Sequence, residues 1–167
     1  GSTRPEAGRI IWDGKEVRVK SPKEAIGHGI AYVTEDGKGE GLVRPMSVEK
    51  NITIAALGNF AKKGFLQKKQ EAETVKAQIQ ALGIKVARPS VSVKSLSGGN
   101  QQKVVLAKWM ISNPHVLIFD EPTRGIDVGA KAEIYKIMCD YVKRATRSSW
   151  FHRRCRRLWG CRTGSSS

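Results

Sequence analysis

Two short stretches of the chain carry residues that can bind a phosphate group and its metal ion. The first, Ser97-Gly98-Gly99, opens a segment that predicts a helix. Its glycines let backbone N–H groups approach an anion, the positive end of the helix faces the same point, and the Ser97 hydroxyl stands at the N-cap position. The second stretch is Asp120-Glu121. One carboxylate can hold a magnesium ion, and the next can orient or deprotonate an attacking water, as nucleoside triphosphate hydrolysis requires.

Short apolar runs predict the strands that position the two carboxylates. The run Val116–Phe119 is too short for a helix and predicts a strand buried on both faces of a parallel sheet. Such a strand delivers Asp120 and Glu121 at its carboxyl end, where open α/β sheets bind their ligands. A second run, Ile30–Val33, predicts another core strand.

Local signals also predict a hairpin and a first helix. Residues 9–19 alternate apolar and polar side chains around a turn at Asp13-Gly14, which is typical of a β-hairpin. Ser21-Pro22 predicts a helix start. The hairpin side chains that we expect to face a core are Ile11, Val17 and Val19.

Two further segments have the periodicity of amphipathic helices. Residues 67–82 precede a glycine stop at Gly83, and the other helix follows Asp127 as its cap. The apolar stripes of the two helices predict packing rather than a cofactor site, and they comprise Ala72, Val75, Ile79 and Leu82 in the first helix and Ala130, Ile134, Ile137, Met138 and Tyr141 in the second.

These motifs closely resemble the second half of the ATP-binding cassette (ABC) ATPases. The family signature is usually LSGGQ, and residues 96–100 read LSGGN. Residues 120–131 are similar to the carboxyl-terminal cassette of carbohydrate importers. The resemblance implies an α/β fold of the P-loop NTPase type. It would have a parallel core sheet with helices, part of an antiparallel β subdomain, and an α-helical subdomain that carries the signature.

The resemblance also implies ATP and Mg²⁺ as cofactors and a head-to-tail dimer with a second cassette. In that dimer Asp120 supports the metal and Glu121 acts on the attacking water. Glu35 stands where most transport cassettes carry the Gln that senses magnesium and water, and Asp127 is a candidate interface residue. The signature residues expected to bind the nucleotide of the partner cassette are Ser97, Gly98, Gly99, Asn100 and Gln101.

Each of these residues also has a purely structural interpretation. Ser97 and Asp127 can simply cap helices. Asp120 and Glu121 can be a polar strand end, and Glu35 can belong to a solvated acidic turn. We favour the nucleotide interpretation because the motifs occur in the family's order, next to the importer-like residues 123–131.

The family also needs a phosphate-binding loop of the form GxxxxGK[ST], which would lie upstream of Arg9. Residues 1–8 contain no such loop. We therefore expect residues 1–142 to be a partial nucleotide-binding domain that hydrolyses little ATP on its own. Residues 46–52 resemble the start of the helical subdomain that rests on membrane permease subunits in importers, so we expect a location at the cytoplasmic face of the membrane without insertion.

The net charge of +15 is concentrated near the end of the chain. From Lys143 onward there are eight Lys or Arg and no acidic residue, so residues 1–142 carry only +7. Residues 143–167 match no element of the family. A shift of one nucleotide in the reading frame, with permitted codons, gives Val-Ile-Met-Val-Ser-Ser-Glu, which resembles the family's continuation. We expect this basic tail to be a frame-shift product or disordered, and we expect no nucleic-acid partner.

Bulk composition fits a globular protein, with 40% hydrophobic residues and no apolar run of membrane-spanning length. The three cysteines show no metal-ligand spacing. Two alternatives to a sugar importer stay open. One is a non-transport ABC ATPase, such as a DNA-repair or translation factor, for which the positive charge is suggestive. The other is an interaction module that only completes a partner's site.

Overall fold

The computed structural model describes residues 8–12, 14–34, 41–62, 64–144 and 149–152. Helices and short strands alternate along them, as the sequence predicts for an α/β fold. In chain order the elements are β1 (Ile10–Trp12), β2 (Lys15–Val17), α1 (Pro22–Gly27), β3 (Ile30–Val33), α2 (Val48–Thr53), a 3₁₀ helix (Ile54–Phe60), β4 (Ala61–Lys62), β5 (Phe65–Leu66), α3 (Lys68–Ala81), a second 3₁₀ helix (Val93–Ser95), α4 (Gly98–Met110), β6 (Val116–Phe119), α5 (Val128–Arg144) and β7 (Ser149–His152).

The central feature is a parallel sheet in the order β3-β6-β7. In the β3–β6 pair Ile30 lies opposite Val116 and Val33 opposite Phe119. In the β6–β7 pair Val116 lies opposite Ser149. Because parallel neighbours need a crossover connection, α5 spans the return from β6 to β7. The predicted parallel core sheet is confirmed.

The two faces of this sheet differ in burial. Leu117 and Phe119 are buried, whereas Val116 and Ile118 on the other face are half-buried. Tyr32 on β3 shares the more open face and is 43% exposed. The prediction that β6 is buried on both faces is therefore wrong for the residues that the structure describes. The buried core cluster lies on one side of the sheet only.

Helix α4 is the centre of that core. Four successive residues, from Val104 to Ala107, are fully buried. Successive helix positions point in different directions, so the helix is enclosed on all sides. Other elements pack around it and contribute fully or almost fully buried side chains, namely Ile52 of α2, Val75 of α3, and Ile134 and Met138 of α5.

The predicted hairpin forms, but Ile11, which the sequence predicts to face a core, points to the solvent. Strands β1 and β2 are antiparallel, and Trp12 pairs with Lys15. That register places Ile10 opposite Val17 and Ile11 opposite Glu16. Ile11 and Val17 therefore lie on opposite faces. Ile11 is 65% exposed, and the prediction that it faces a core is wrong.

The predicted helix boundaries are confirmed. Ser21 caps α1 through a bond from the Glu24 N–H to its side chain, and Gly83 follows α3 with a φ of 57°. In α3 the predicted apolar face holds for Val75, Ile79 and Leu82, whereas Ala72 is exposed. Ala72 lines an open groove between α2 and α3 instead.

The end of the described chain differs from the sequence expectation. Helix α5 continues to Arg144, and β7 then adds a strand to the sheet in a region where the sequence predicts no element. Most of the basic tail, including Cys155 and Cys161, lies outside the described residues. Among the residues described, no helix combines the length and the apolar character that a membrane crossing requires.

Candidate functional site

The two carboxylates lie at the carboxyl end of β6, beside the end of β3. The Asp120 N–H donates to the carbonyl oxygen of Val33 at 2.9 Å, which extends the β3–β6 ladder past the last strand residue. The Asp120 side chain accepts a hydrogen bond from Tyr32, whose Oη lies 2.8 Å from Oδ2. Both the backbone and the side chain of Asp120 are therefore held by β3.

Glu121 follows with an unusual backbone conformation. Its φ of 41° lies in the left-handed region, where a residue with a side chain carries strain on the order of 1–3 kcal/mol. The Arg124 N–H donates to the Glu121 carbonyl at 3.0 Å and closes a turn. Within that turn Thr123 is buried, and its hydroxyl lies 3.2 Å from the Tyr135 hydroxyl of α5. The turn bond fixes the backbone from which the Glu121 side chain leaves the sheet, and the Thr123–Tyr135 contact joins this turn to α5.

The signature residues begin α4, as predicted. Ser97 is the N-cap, and its Oγ accepts from the Asn100 side-chain amide at 2.9 Å and more weakly from the Asn100 N–H at 3.5 Å. Because Oγ is the acceptor in both bonds, the O–H group can still donate a hydrogen bond to a ligand. Ser97 is exposed. A helix N-terminus with an exposed hydroxyl donor suits a phosphate.

Gly99 has a packing requirement that the sequence does not reveal. It is buried, and a Cβ on it would lie 2.7 Å from the Cβ of Ala130 and 3.9 Å from Cγ2 of Ile126. The first turn of α4 therefore packs directly against the first turn of α5. Gly99 is needed for this close approach of two helices, in addition to any approach of an anion.

Asn100 and Gln101 turn their amides toward the protein. The Asn100 Oδ1 accepts from the Lys85 N–H at 2.8 Å, and the Gln101 Nε2 donates to the Leu96 carbonyl at 2.8 Å. Both side chains thus shape the loop that leads into α4. Their proposed contact with a nucleotide stays a prediction.

Asp127 caps α5. Its Oδ1 accepts from the Ala130 N–H at 2.8 Å, and its carbonyl accepts from the Lys131 N–H at 3.0 Å. The predicted cap is confirmed, and its role at a dimer interface stays a prediction. Because Ala130 and Ile126 both approach Gly99, the structure brings the loop that carries Asp127 next to the signature turn.

The predicted site residues therefore form two groups. Asp120 and Glu121 lie at the sheet edge, and the signature turn lies beside Asp127. Glu35 lies outside the described residues, so its position stays a prediction. Tyr32 is not among the predicted site residues, since only the strand register places it beside Asp120.

Two lysines of α4, the buried Lys103 and the half-buried Lys108, are also absent from the sequence-based site. Lys103 is 7% exposed, and its Nζ donates to Glu133 Oε2 at 2.7 Å and to the Gly83 carbonyl at 3.0 Å. It thus joins α4 to α5 and to the end of α3. The hydrogen bond and the positive charge of Lys103 lower the pKa of Glu133.

Lys108 links the same helix to the segment that follows β3. Its Nζ donates to the Gly41 carbonyl at 2.6 Å and lies 4.8 Å from the centre of the Trp109 ring. Burial lowers the pKa of Lys108 to about 8. The hydrogen bond and the ring both favour the charged ammonium, so they oppose the effect of burial.

The sheet edge fits a nucleotide-bound magnesium ion. Mg²⁺ is held by one or two carboxylates together with substrate phosphates, and it needs no cage made by the protein alone. The described residues contain no group of three or more His, Cys, Asp or Glu able to hold a metal. The buried Oγ1 of Thr34, at the end of β3, has no hydrogen-bond partner among the described residues. Asp120 and Glu121 are the residues that can hold the ion or its water ligands.

A strand of a parallel sheet that ends in Asp-Glu, together with a helix that begins at a capped Ser-Gly-Gly, is the arrangement of an ABC-type cassette. The family model described as ABC transporter matches residues 1–124, and the chain belongs to this family. Among its relatives, the ribose import ATP-binding protein RbsA of Geobacillus kaustophilus is 51% identical over 133 residues, which are 80% of this chain and 27% of the relative. The protein of the same name from Bacillus subtilis is 47% identical over 144 residues, which are 86% of this chain and 29% of the relative.

Solved structures share the fold. A dimeric ATP-binding cassette in a post-hydrolysis state with ADP and Pi superimposes with a TM-score of 0.69 at 15% identity, over 89% of this chain and 63% of the other. A component of the cbiONQ ABC transporter complex of Clostridium perfringens gives 0.67 at 25% identity, over 89% and 56%. The chain spans 27–29% of the length of the curated relatives named above, so it corresponds to one part of such a protein.

Proposed function

We propose that this chain is part of the carboxyl-terminal cassette of an ATPase that energises import of a sugar, of the ribose class, across the cytoplasmic membrane. The observation that carries the proposal is the Asp120-Glu121 pair at the carboxyl end of a parallel strand, with Asp120 held by β3 and Glu121 fixed in a left-handed turn. The sugar class is supported by the names of the relatives, which are ribose import proteins. The names of these relatives give no support to a nucleic-acid partner.

In the proposed reaction each carboxylate has a separate task. Magnesium, when bound with ATP, neutralises the charge that develops on the phosphates. Asp120 would hold the ion or one of its water ligands. Glu121 would accept a hydrogen bond from the attacking water and take up its proton as the water attacks the γ-phosphate. The strained backbone of Glu121 supports this role, since strain is retained where the direction of a side chain matters.

The signature turn would act on a second cassette. The Ser97 hydroxyl would donate a hydrogen bond to the γ-phosphate of a nucleotide that is bound mainly by the partner. The first N–H groups of α4 would face the same anion. Asp127 would lie at that interface because its loop adjoins the signature turn. The dimeric cassette among the structural neighbours supports such an assembly.

The helical part of the chain would face the permease at the cytoplasmic side of the membrane. An open groove of about 480 Å³ lies between α2, the following 3₁₀ helix and α3. Apolar side chains at or near its rim are exposed, among them Met46, Leu57 and Leu66. A surface of this kind on a peripheral subunit suits a protein partner.

The test is Glu121→Gln in the full-length protein that contains this segment. Loss of a general base typically lowers the rate by 10²–10⁴, so we expect ATP hydrolysis at this site to fall by about that factor while ATP binding is kept. The matched control is Glu73→Gln on the exposed surface of α3. Unchanged hydrolysis in Glu121→Gln, measured as steady-state phosphate release, would show that this carboxylate is not catalytic.

A further inference from the structure

The Tyr32 hydroxyl makes a hydrogen bond to Asp120 that the pairing of β3 with β6 does not itself require. Tyr32 is 43% exposed on the more open face of the sheet, and its hydroxyl donates to Asp120 Oδ2 at 2.8 Å across 88 residues of sequence. In the β3–β6 register Tyr32 lies opposite Ile118. Asp120 is two residues further along the same face, a diagonal neighbour that a long side chain can reach.

We propose that Tyr32 is a positioning residue that orients the Asp120 carboxylate toward the magnesium ion of a bound nucleotide. The proposal rests on the proposed function, because it assumes that Asp120 supports the metal. The main-chain bond to Val33 fixes the Asp120 backbone but leaves rotation about the two side-chain torsions. A donor to one oxygen limits that rotation and lets the other oxygen face the ion.

The chemistry of tyrosine suits this task. A phenol is a neutral donor, so it directs the carboxylate without cancelling the negative charge that attracts the metal. A lysine or arginine in the same place would form an ion pair and compete with Mg²⁺ for the carboxylate. Phenylalanine would fill the same space on the sheet but could not donate. If Tyr32 served packing alone, removal of its hydroxyl would have no effect on metal binding.

The experiment uses Mn²⁺ as a spectroscopic probe of the magnesium site. The full-length protein would carry Glu121→Gln, so that ATP stays intact, and Mn²⁺ binding with ATP would be followed by electron paramagnetic resonance. Loss of an outer-shell partner of a metal ligand typically costs 10–100-fold in affinity, so Tyr32→Phe is expected to weaken Mn²⁺ binding by roughly tenfold or more. In the hydrolytically active protein the half-saturating Mg²⁺ concentration should rise while kcat at saturating Mg²⁺ is largely restored.

Two further variants make the result decisive. Tyr141→Phe removes another tyrosine hydroxyl, one on α5 that has no hydrogen-bond partner among the described residues, and should leave Mn²⁺ affinity unchanged. Asp120→Asn removes the proposed ligand itself. Weak Mn²⁺ binding in Asp120→Asn together with unaltered binding in Tyr32→Phe would overturn the role of Tyr32 and leave the proposed function standing. Unaltered binding in Asp120→Asn would overturn the proposed metal site. Equal losses of Mn²⁺ affinity in Tyr32→Phe and Tyr141→Phe, with lowered melting temperatures without metal, would show a general structural effect and reject the proposal.

Discussion

Replacement of Gly99 by alanine tests the close contact between the first turns of α4 and α5. The new Cβ would lie 2.7 Å from the Ala130 Cβ, about 1 Å closer than two carbon atoms at optimal separation. Neither side chain can rotate away, so one helix must shift. Overpacking of this kind typically costs 1–3 kcal/mol, against which the better helix propensity of alanine returns at most about 1 kcal/mol.

The structure offers a matched control and a rescue. Gly129 is the second residue of α5, as Gly99 is of α4, but a Cβ there meets only Asp127 Oδ1 at an ordinary 3.5 Å. Gly129→Ala should therefore be neutral or stabilising. Ala130→Gly should remove the clash, so the Gly99→Ala/Ala130→Gly double variant should recover most of the stability that Gly99→Ala loses.

Urea unfolding of the four variants and the parent measures these differences as a double-mutant cycle. The expected result is a favourable coupling between positions 99 and 130 of about 1 kcal/mol or more. A Gly99→Ala variant as stable as Gly129→Ala, or a coupling energy near zero, would refute the reasoning that the two helix starts are in contact.

Two other predictions concern Lys108 and the end of the chain. Because the pKa of Lys108 is about 8 in the folded state and 10.5 in the reference state, the unfolded chain binds more protons between those pH values, so stability should rise with pH by up to about 3 kcal/mol. Lys108→Met should flatten that rise in urea unfolding, and parallel profiles for the two proteins would contradict it. We also propose that the reading frame is shifted near Lys143, since permitted codons for residues 147–151 read Val-Ile-Met-Val when shifted by one nucleotide, and this run overlaps β7. Sequencing the encoding DNA checks this, and a region without a nearby insertion or deletion would count against it.

Local signals account for the parts of the fold that the sequence predicts well. Ser21, Ser97 and Asp127 cap helices because a short polar side chain can reach the N–H groups of the next turn. The runs Ile30–Val33 and Val116–Phe119 form strands because their apolar side chains are too few for a helical stripe. Each of these signals lies within a few residues of the helix start or strand that it predicts.

The features that the sequence does not predict depend on register and packing. Tyr32 meets Asp120 only because β3 and β6 pair in one particular alignment. The exposure of Ile11 follows from the hairpin register, and the need for Gly99 follows from the approach of Ala130. The left-handed φ of Glu121 has no sequence signal, since the preferred residue for such a backbone is glycine.

That backbone sets a limit on how far this chain can be stabilised. Glycine at position 121 would relax the turn and remove the conformational penalty of a side chain with positive φ. It would also remove the carboxylate. Selection for stability alone would therefore favour glycine at position 121. Under the proposed function, the glutamate sacrifices some stability to place a carboxylate at the catalytic site.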